Sequence, residues 1–213
     1  MINKTLGALA LIALSAPVFA QKGSLAQPIF NGGTVSVTIT NVSKTQFTPI
    51  LAATHNSEIA FFQAGAPASD ELALLAEGGD IGPLSAVLEG SDDVGSQGSS
   101  AGLLMPGQSV TIELDGDRNF DRLSLAAMLL PTNDAFVALN GVGVPRVLDR
   151  PMRYVAFGYD AGSEPNDELC ANIPGPTCGG AGPSPEAGGE GYVSISAGIQ
   201  GNGDLNPVQY DWR

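Results

Sequence analysis

The stretch that most constrains this chain is Leu123–Phe136. It opens with Leu-Ser-Leu-Ala-Ala-Met-Leu-Leu, a short and almost unbroken apolar run that Pro131 ends. Such a run, bounded by Pro, fits a strand covered on both faces. Pro131 cannot donate to a sheet ladder, so the chain must leave the sheet there. Asn133 and Asp134 then fall on a loop at the end of the sheet. A second strand-like run, Arg153–Tyr159, ends in the same manner and delivers Asp160-Ala161-Gly162-Ser163-Glu164. Two strands that end in carboxylates are a simple way to build a metal site, because a rigid sheet fixes where the oxygens point.

The rest of the chain reads as strands around that centre. Val35, Val37 and Ile39 alternate with Ser36, Thr38 and Thr40, the pattern of a half-buried strand. Gln108–Leu114 and Gly191–Ser196 alternate in the same way. Phe47–Ala53 is a strand broken at Pro49, which predicts a place near a sheet edge. Glu58–Gln63 reads as a further short strand. Ala68–Ala76 has helical spacing, with Ser69 or Asp70 as cap and Gly78-Gly79 as stop. Pro83–Leu88 predicts a second helical turn or two. Gly90–Gly102 and the stretch after Phe136 read as loops. With 28 Gly and 15 Pro there are many turns and few long helices. The expectation is an all-β fold: an antiparallel β-sandwich of about eight strands with one or two short helices inserted.

Residues 1–20 read as a secretory signal peptide. Lys4 is the basic region, Leu6–Ala16 the apolar core, and Val18-Phe19-Ala20 the small-residue cleavage site. The domain is then expected over residues 21–213, with no internal repeat and no linker that splits it. A net charge of −13 argues against nucleic acid and against anionic membrane surfaces. It suits a soluble secreted protein, or one that collects cations. From Tyr154 to Trp212 there is no Lys or Arg, while eight acids occur. Cys170 and Cys178 share one Gly/Pro-rich segment, and after a signal peptide such a pair reads as a disulfide.

Catalytic patterns are sparse. His55 is the one histidine, and no nucleophile-elbow sequence accompanies it. Carboxylate pairs for glycoside hydrolysis lack substrate-stacking aromatics, since Trp212 is the one Trp. No glycine-rich stretch carries a P-loop Lys. Asp115-Gly116-Asp117-Arg118-Asn119-Phe120-Asp121 begins like a calcium loop, but Phe120 takes the place of its Gly and Ala126 that of its final Glu. A polar hairpin loop is the expectation there. No enzyme activity is expected.

Several motifs occur together and in order: Phe47-Thr48-Pro49-Ile50-Leu51-Ala52-Ala53-Thr54-His55-Asn56, Ala64-Gly65-Ala66-Pro67-Ala68-Ser69, and Ala76-Glu77-Gly78. Leu123–Leu130 with Pro131-Thr132-Asn133-Asp134 follows, and then Asp160-Ala161-Gly162-Ser163-Glu164. This series resembles the spondin N-terminal (F-spondin) domain family, as a stand-alone bacterial-type secreted member. The resemblance implies a C2-like sandwich with one Ca2+ at its end, held by Asp134, Asp160 and Glu164. Glu164 stands where the family usually has Asp, and Asn133 where it has Pro. Three converging carboxylates repel one another unless a cation sits between them, and calcium accepts six to eight oxygens in flexible geometry. Zinc or copper would want His or Cys.

The resemblance further implies a secreted, non-enzymatic module for adhesion or for binding an extracellular protein or glycan. A structural subunit of an extracellular assembly is the alternative, and a secreted hydrolase comes third. Relatives continue past Asp-Trp-Arg into a further strand. An open sheet edge at Tyr210–Arg213, with homo-association through it, is therefore also expected.

Overall fold

The computed structural model describes residues 10–15, 33–145, 151–183, 188–210 and 212. Its strands are β1 (Ala10–Ser15), β2 (Gly33–Asn41), β3 (Gln46–Phe47), β4 (Leu51–His55), β5 (Val94–Ser99), β6 (Ser109–Gly116), β7 (Arg122–Leu130), β8 (Ala135–Gly143), β9 (Met152–Asp160) and β10 (Ser194–Ile195). The helices are α1 (Asp70–Gly78), α2 (Gly82–Glu89), α3 (Gly175–Cys178) and α4 (Pro207–Tyr210). The strands run in the spatial order β5-β4-β7-β8-β9-β1-β2-β6, every pairing antiparallel. β9 joins the two layers of the sandwich: Met152–Leu14 begins its pairing with β1, and Phe157–Asp160 pair with β8.

The apolar run is β7, and it is covered on both faces. Leu123, Leu125, Ala127 and Leu129 pack in the sandwich core with Val35, Val37 and Ile39 of β2 and Ile112 and Leu114 of β6. On the other face, Ala126 lies with Phe136 and Ala138 of β8 under Leu72 and Leu75 of α1 and Leu84 and Leu88 of α2. An antiparallel sheet usually has one wet face; here the two helices cover it. Ser69 caps α1, its Oγ accepting the Leu72 N–H at 3.2 Å. Gly79 ends the helix at φ +69°, and a Cβ there would lie 2.6 Å from Thr48 Cγ2.

The β2–β6 register sets Val37 opposite Ile112 and Val35 opposite Leu114, facing inward. It also lines up the outer face, where Ser36 donates to Glu113 and the hydroxyls of Thr38 and Thr111, and of Thr40 and Ser109, meet at 2.9 and 2.8 Å. Cross-strand pairs of this kind stabilise a sheet by a few tenths to about 1 kcal/mol each.

The structure differs from the sequence reading at several places. β4 is no edge strand: it lies between β5 and β7. Pro49 falls in the break between β3 and β4, off the ladder, so it costs no sheet hydrogen bond. Glu58–Gln63 forms no strand; the Asn140 side chain holds it instead, accepting from Phe61 N–H at 2.9 Å and donating to the Phe62 carbonyl at 2.6 Å. The supposed loop Gly90–Gly102 contains β5, and the stretch after Phe136 continues as β8. The Asp115–Asp121 segment is no hairpin, because β6 pairs with β2 and β7 pairs with β3, β4 and β8. It carries the chain between layers, with Asp117 Oδ1 accepting the Asn119 N–H at 2.7 Å. Near the C-terminus, α4 and the buried Trp212 stand where an open strand edge was expected; Asp211 and Arg213 lie outside the described residues.

The expected signal peptide is described only at Ala10–Ser15, where the backbone forms β1 between β2 and β9. The remainder of residues 1–20 lies outside the described residues. No helix among the described residues is long and apolar enough to cross a membrane.

Candidate metal centre

The antiparallel pairing of β8 with β9 sets Ala135, the first residue of β8, opposite Asp160, the last of β9. Asp134 therefore precedes one strand directly beside the point where Asp160 ends the other, and its carbonyl accepts the Ala161 N–H at 3.2 Å. Both carboxylates are buried, Asp134 at 0 % exposure and Asp160 at 5 %. Oδ2 of Asp134 accepts the N–H groups of Ser163 at 2.8 Å and Glu164 at 3.0 Å. Its Oδ1 is buried and has no hydrogen-bond partner. Asp160 accepts the Gly162 N–H on Oδ1 at 2.9 Å and the Asn166 amide on Oδ2 at 2.8 Å. Glu164, also buried, joins this group through its backbone N–H on Asp134. Gly162 makes the turn between them at φ +67°, and any side chain there would collide with the Tyr192 backbone.

Electrostatics mark the pair. Burial first, and then the Asp160 charge, push the Asp134 carboxyl up to about 7 against the pull of the Glu164 and Ser163 N–H groups; Glu190 adds to the rise. Asp160 is also raised, chiefly by burial and further by Glu190, while the hydrogen bonds from Asn166 and Gly162 oppose the shift. A buried carboxylate whose proton affinity is raised by a neighbouring carboxylate gains from a cation.

The structure thus brings Asp134 and Asp160 together and attaches Glu164 to the same loop. Among the described residues, however, no group of three or more His, Cys, Asp or Glu side chains is arranged so that it could hold a metal ion. What fits a cation is the donor chemistry. The donors are oxygens, and the unpartnered Oδ1 of Asp134 is a buried acceptor that a hard cation would satisfy. The softer ligands are engaged elsewhere: Cys170 and Cys178 are bonded to each other, and His55 bonds Ser124 and Asn56.

Residues that sequence reasoning did not assign to the site surround it. Asn166 follows Glu164 closely in the same loop, so its place could have been inferred. Its Nδ2 also reaches Glu190 Oε1 at 3.2 Å, and Glu190, 24 residues further on, gave no local signal. Asn133 fastens the long loop down: Oδ1 accepts the Glu168 N–H at 3.1 Å, and Nδ2 donates to Asp167 at 3.0 Å. The buried Glu168 carboxylate in turn accepts the successive N–H groups of Gln200, Gly201 and Asn202. The Cys170–Cys178 bond closes this loop on itself, as the sequence suggested.

A second polar cluster lies between β4 and β7. His55 Nδ1 is 2.7 Å from the Asn56 carbonyl, which can only accept, so Nδ1 carries the proton. Nε2 then accepts from Ser124 Oγ at 2.8 Å, and Ser124 accepts the Gly141 N–H at 2.8 Å. This is a serine–histidine hydrogen bond, but both side chains have 0 % exposure and the third partner is a backbone carbonyl. As placed, the pair pins β4, β7 and β8 together.

Burial lowers the His55 pKa, Arg122 lowers it further, and the Asn56 carbonyl opposes them. The neutral ring therefore stabilises the fold fully above its ordinary value of 6.5, and that contribution is lost as pH falls below it. As pH falls from 7.5 to 4.5, wild type is expected to lose melting temperature relative to His55→Gln measured in the same buffer. Parallel curves for the two proteins would refute this role.

The family model described as Spondin_N matches residues 40–150, more than half of the chain. That span includes Asp134 and ends before Asp160 and Glu164. No curated protein matches the chain. The sandwich, with its central doubly covered strand and the carboxylate that follows it, agrees with that match. This chain belongs to the spondin N-terminal domain family.

Proposed function

We propose that this protein is a secreted, non-enzymatic calcium-binding module that contacts an extracellular protein or glycan in adhesion. The observation that carries the calcium reading is the Asp134 carboxylate, fully buried beside Asp160 with Oδ1 unpartnered. Asp134, Asp160 and Glu164 would hold the ion, with backbone carbonyls completing the shell. When bound, calcium supplies positive charge that cancels the mutual repulsion of these groups. The chain's part is to fix the oxygens. The β8–β9 register sets Asp134 and Asp160 side by side, the Ser163 and Glu164 N–H groups orient Asp134, and Asn133 ties the loop to the sheet. Isothermal titration of calcium into chelated protein tests this, and absence of heat at millimolar calcium removes it. A subunit of an extracellular assembly is the alternative, and light scattering that grows with calcium concentration would favour it.

Export is part of the proposal. The family is one of extracellular domains, and the Cys170–Cys178 bond suits an oxidising compartment. N-terminal sequencing of exported protein is expected to begin at Gln21. Protein that begins at Met1 would keep β1 and would refute the signal-peptide reading.

A further inference from the structure

The amide of Asn166 lies between two carboxylates from different loops. Its Nδ2 donates to Asp160 Oδ2 at 2.8 Å and to Glu190 Oε1 at 3.2 Å. An amide NH2 has two hydrogens, and both are used here to bridge acids. It carries only partial positive charge and cannot neutralise two carboxylates. Its nitrogen stands between oxygens of the two acids. Rotating the amide by half a turn would put Oδ1, an oxygen donor of the kind calcium prefers, where Nδ2 now is.

The backbone around Glu190 is fixed to the same loop. Gly189 packs so closely on the carbonyls of Gly162 and Glu164 that a Cβ would lie 2.5 and 2.6 Å from their oxygens. Gly191 donates its N–H to the Gly162 carbonyl at 2.8 Å. Glu190 is thus held from both sides against the Asp160–Glu164 turn, while its side chain remains exposed. Asp134, at 0 % exposure, contributes the buried acceptor without a partner at the inner side.

From this geometry we infer that Glu190 and Asn166 form the outer lip of the calcium site, Glu190 giving a carboxylate oxygen and Asn166 its amide oxygen to the ion that Asp134 and Asp160 hold from within. The inference rests on the calcium reading above and extends it to two residues outside the expected trio. Glu190, on the solvent side, is the first ligand an arriving ion meets. Asn166 holds the lip closed in the absence of the ion by its NH2 and switches to its oxygen when the ion enters.

The test is calcium titration of wild type, Glu190→Gln, Asn166→Asp and Asn166→Leu, with melting in chelator measured on each. Glu190→Gln is expected to weaken calcium binding about tenfold or more, the loss of one charged ligand, while melting unchanged or higher in chelator. Asn166→Asp keeps an oxygen but loses the NH2, so it should melt lower in chelator and still bind calcium at least as tightly as wild type. Asn166→Leu should lose both properties. If Asn166 is only a structural clamp, Asp and Leu at that position will bind calcium equally poorly. Wild type that binds calcium while Glu190→Gln binds within about twofold of it overturns the lip and leaves the inner site standing. Wild type that takes up no calcium overturns both.

Discussion

Calcium added to chelated protein is expected to raise the melting temperature by about 5–10 °C, and Asp160→Asn is expected to abolish the rise. The size follows from linkage. An extracellular module with a Kd of roughly 10⁻⁴ M gains about 2.7 kcal/mol at a hundredfold excess of ion. For a domain of this length each kcal/mol is worth about 2–4 °C. Asp160→Asn should leave the chelated fold intact, because an amide oxygen can still accept the Gly162 N–H that Asp160 accepts. Magnesium should restore little of the effect, since it demands small octahedral geometry and gives up its waters reluctantly. The readout is scanning calorimetry in chelator, calcium and magnesium. Equal melting in all three, or a calcium response that survives in both Asp160→Asn and Asp134→Asn, removes the site.

The second large effect concerns pH, and calcium should remove it. The Asp134 carboxyl, raised from 3.8 to about 7 by burial and by Asp160, prefers its proton in the folded chelated protein. Its contribution to stability is fully present below about pH 4 and is lost as pH rises through about 7. A shift of about three pH units corresponds to something on the order of 4 kcal/mol. About two of those units fall between pH 5 and pH 8, so chelated protein is expected to be less stable at pH 8 than at pH 5 by something on the order of 3 kcal/mol, less the opposing contribution of His55. With saturating calcium the Asp134 slope over the same window should vanish, because the ion holds the carboxylate unprotonated in the fold, as it already is in the unfolded chain above its ordinary value of 3.8. Asp134→Asn should flatten the chelated profile, and at pH 8 in chelator it should be more stable than wild type. Denaturant titrations at several pH values measure this. A chelated wild type whose stability rises steadily from pH 5 to pH 8, in parallel with Asp134→Asn, would show that the buried carboxylate does not carry the dependence.

The latch between Asn133 and Glu168 explains why both effects should reach beyond the two aspartates. Asn133 adjoins Asp134 and holds Glu168, whose carboxylate collects three successive backbone N–H groups of residues 200–202. Loosening at Asp134 is thus transmitted to the segment that packs Ile199, Leu205 and Trp212 into the core.

Local pattern alone determined a good part of this protein. β7 was visible because a strand covered on both faces must be apolar at nearly every position, and because Pro131 cannot stay in a ladder. β2 and β6 were visible because each has one wet face and so alternates. α1 carried its own cap and stop in Ser69 and Gly79. Asp134 and Asp160 could be placed at strand ends for the same reason: the strands that deliver them announce themselves. The disulfide needed only the two cysteines and an oxidising context.

The tertiary structure decided what has no local signature. β5, Val-Gly-Ser-Gln-Gly-Ser, has no apolar pattern; it is a strand because β4 pairs with it, and its Gly95 lets it pass against Phe120, where a Cβ would collide with the ring. β8 lacks alternation because its first half is buried on both faces, and its Asn140-Gly141 reads locally as a turn. Glu190 and Glu168 looked like any other exposed acids in a long acidic stretch. One accepts from the Asn166 amide that also bonds Asp160 and the other is buried in a row of amides, and only contacts between residues far apart in sequence distinguish them. Burial and register are properties of the pair, not of the residue, so a chain read alone shows which side chains are available to a site and leaves to packing which of them meet there.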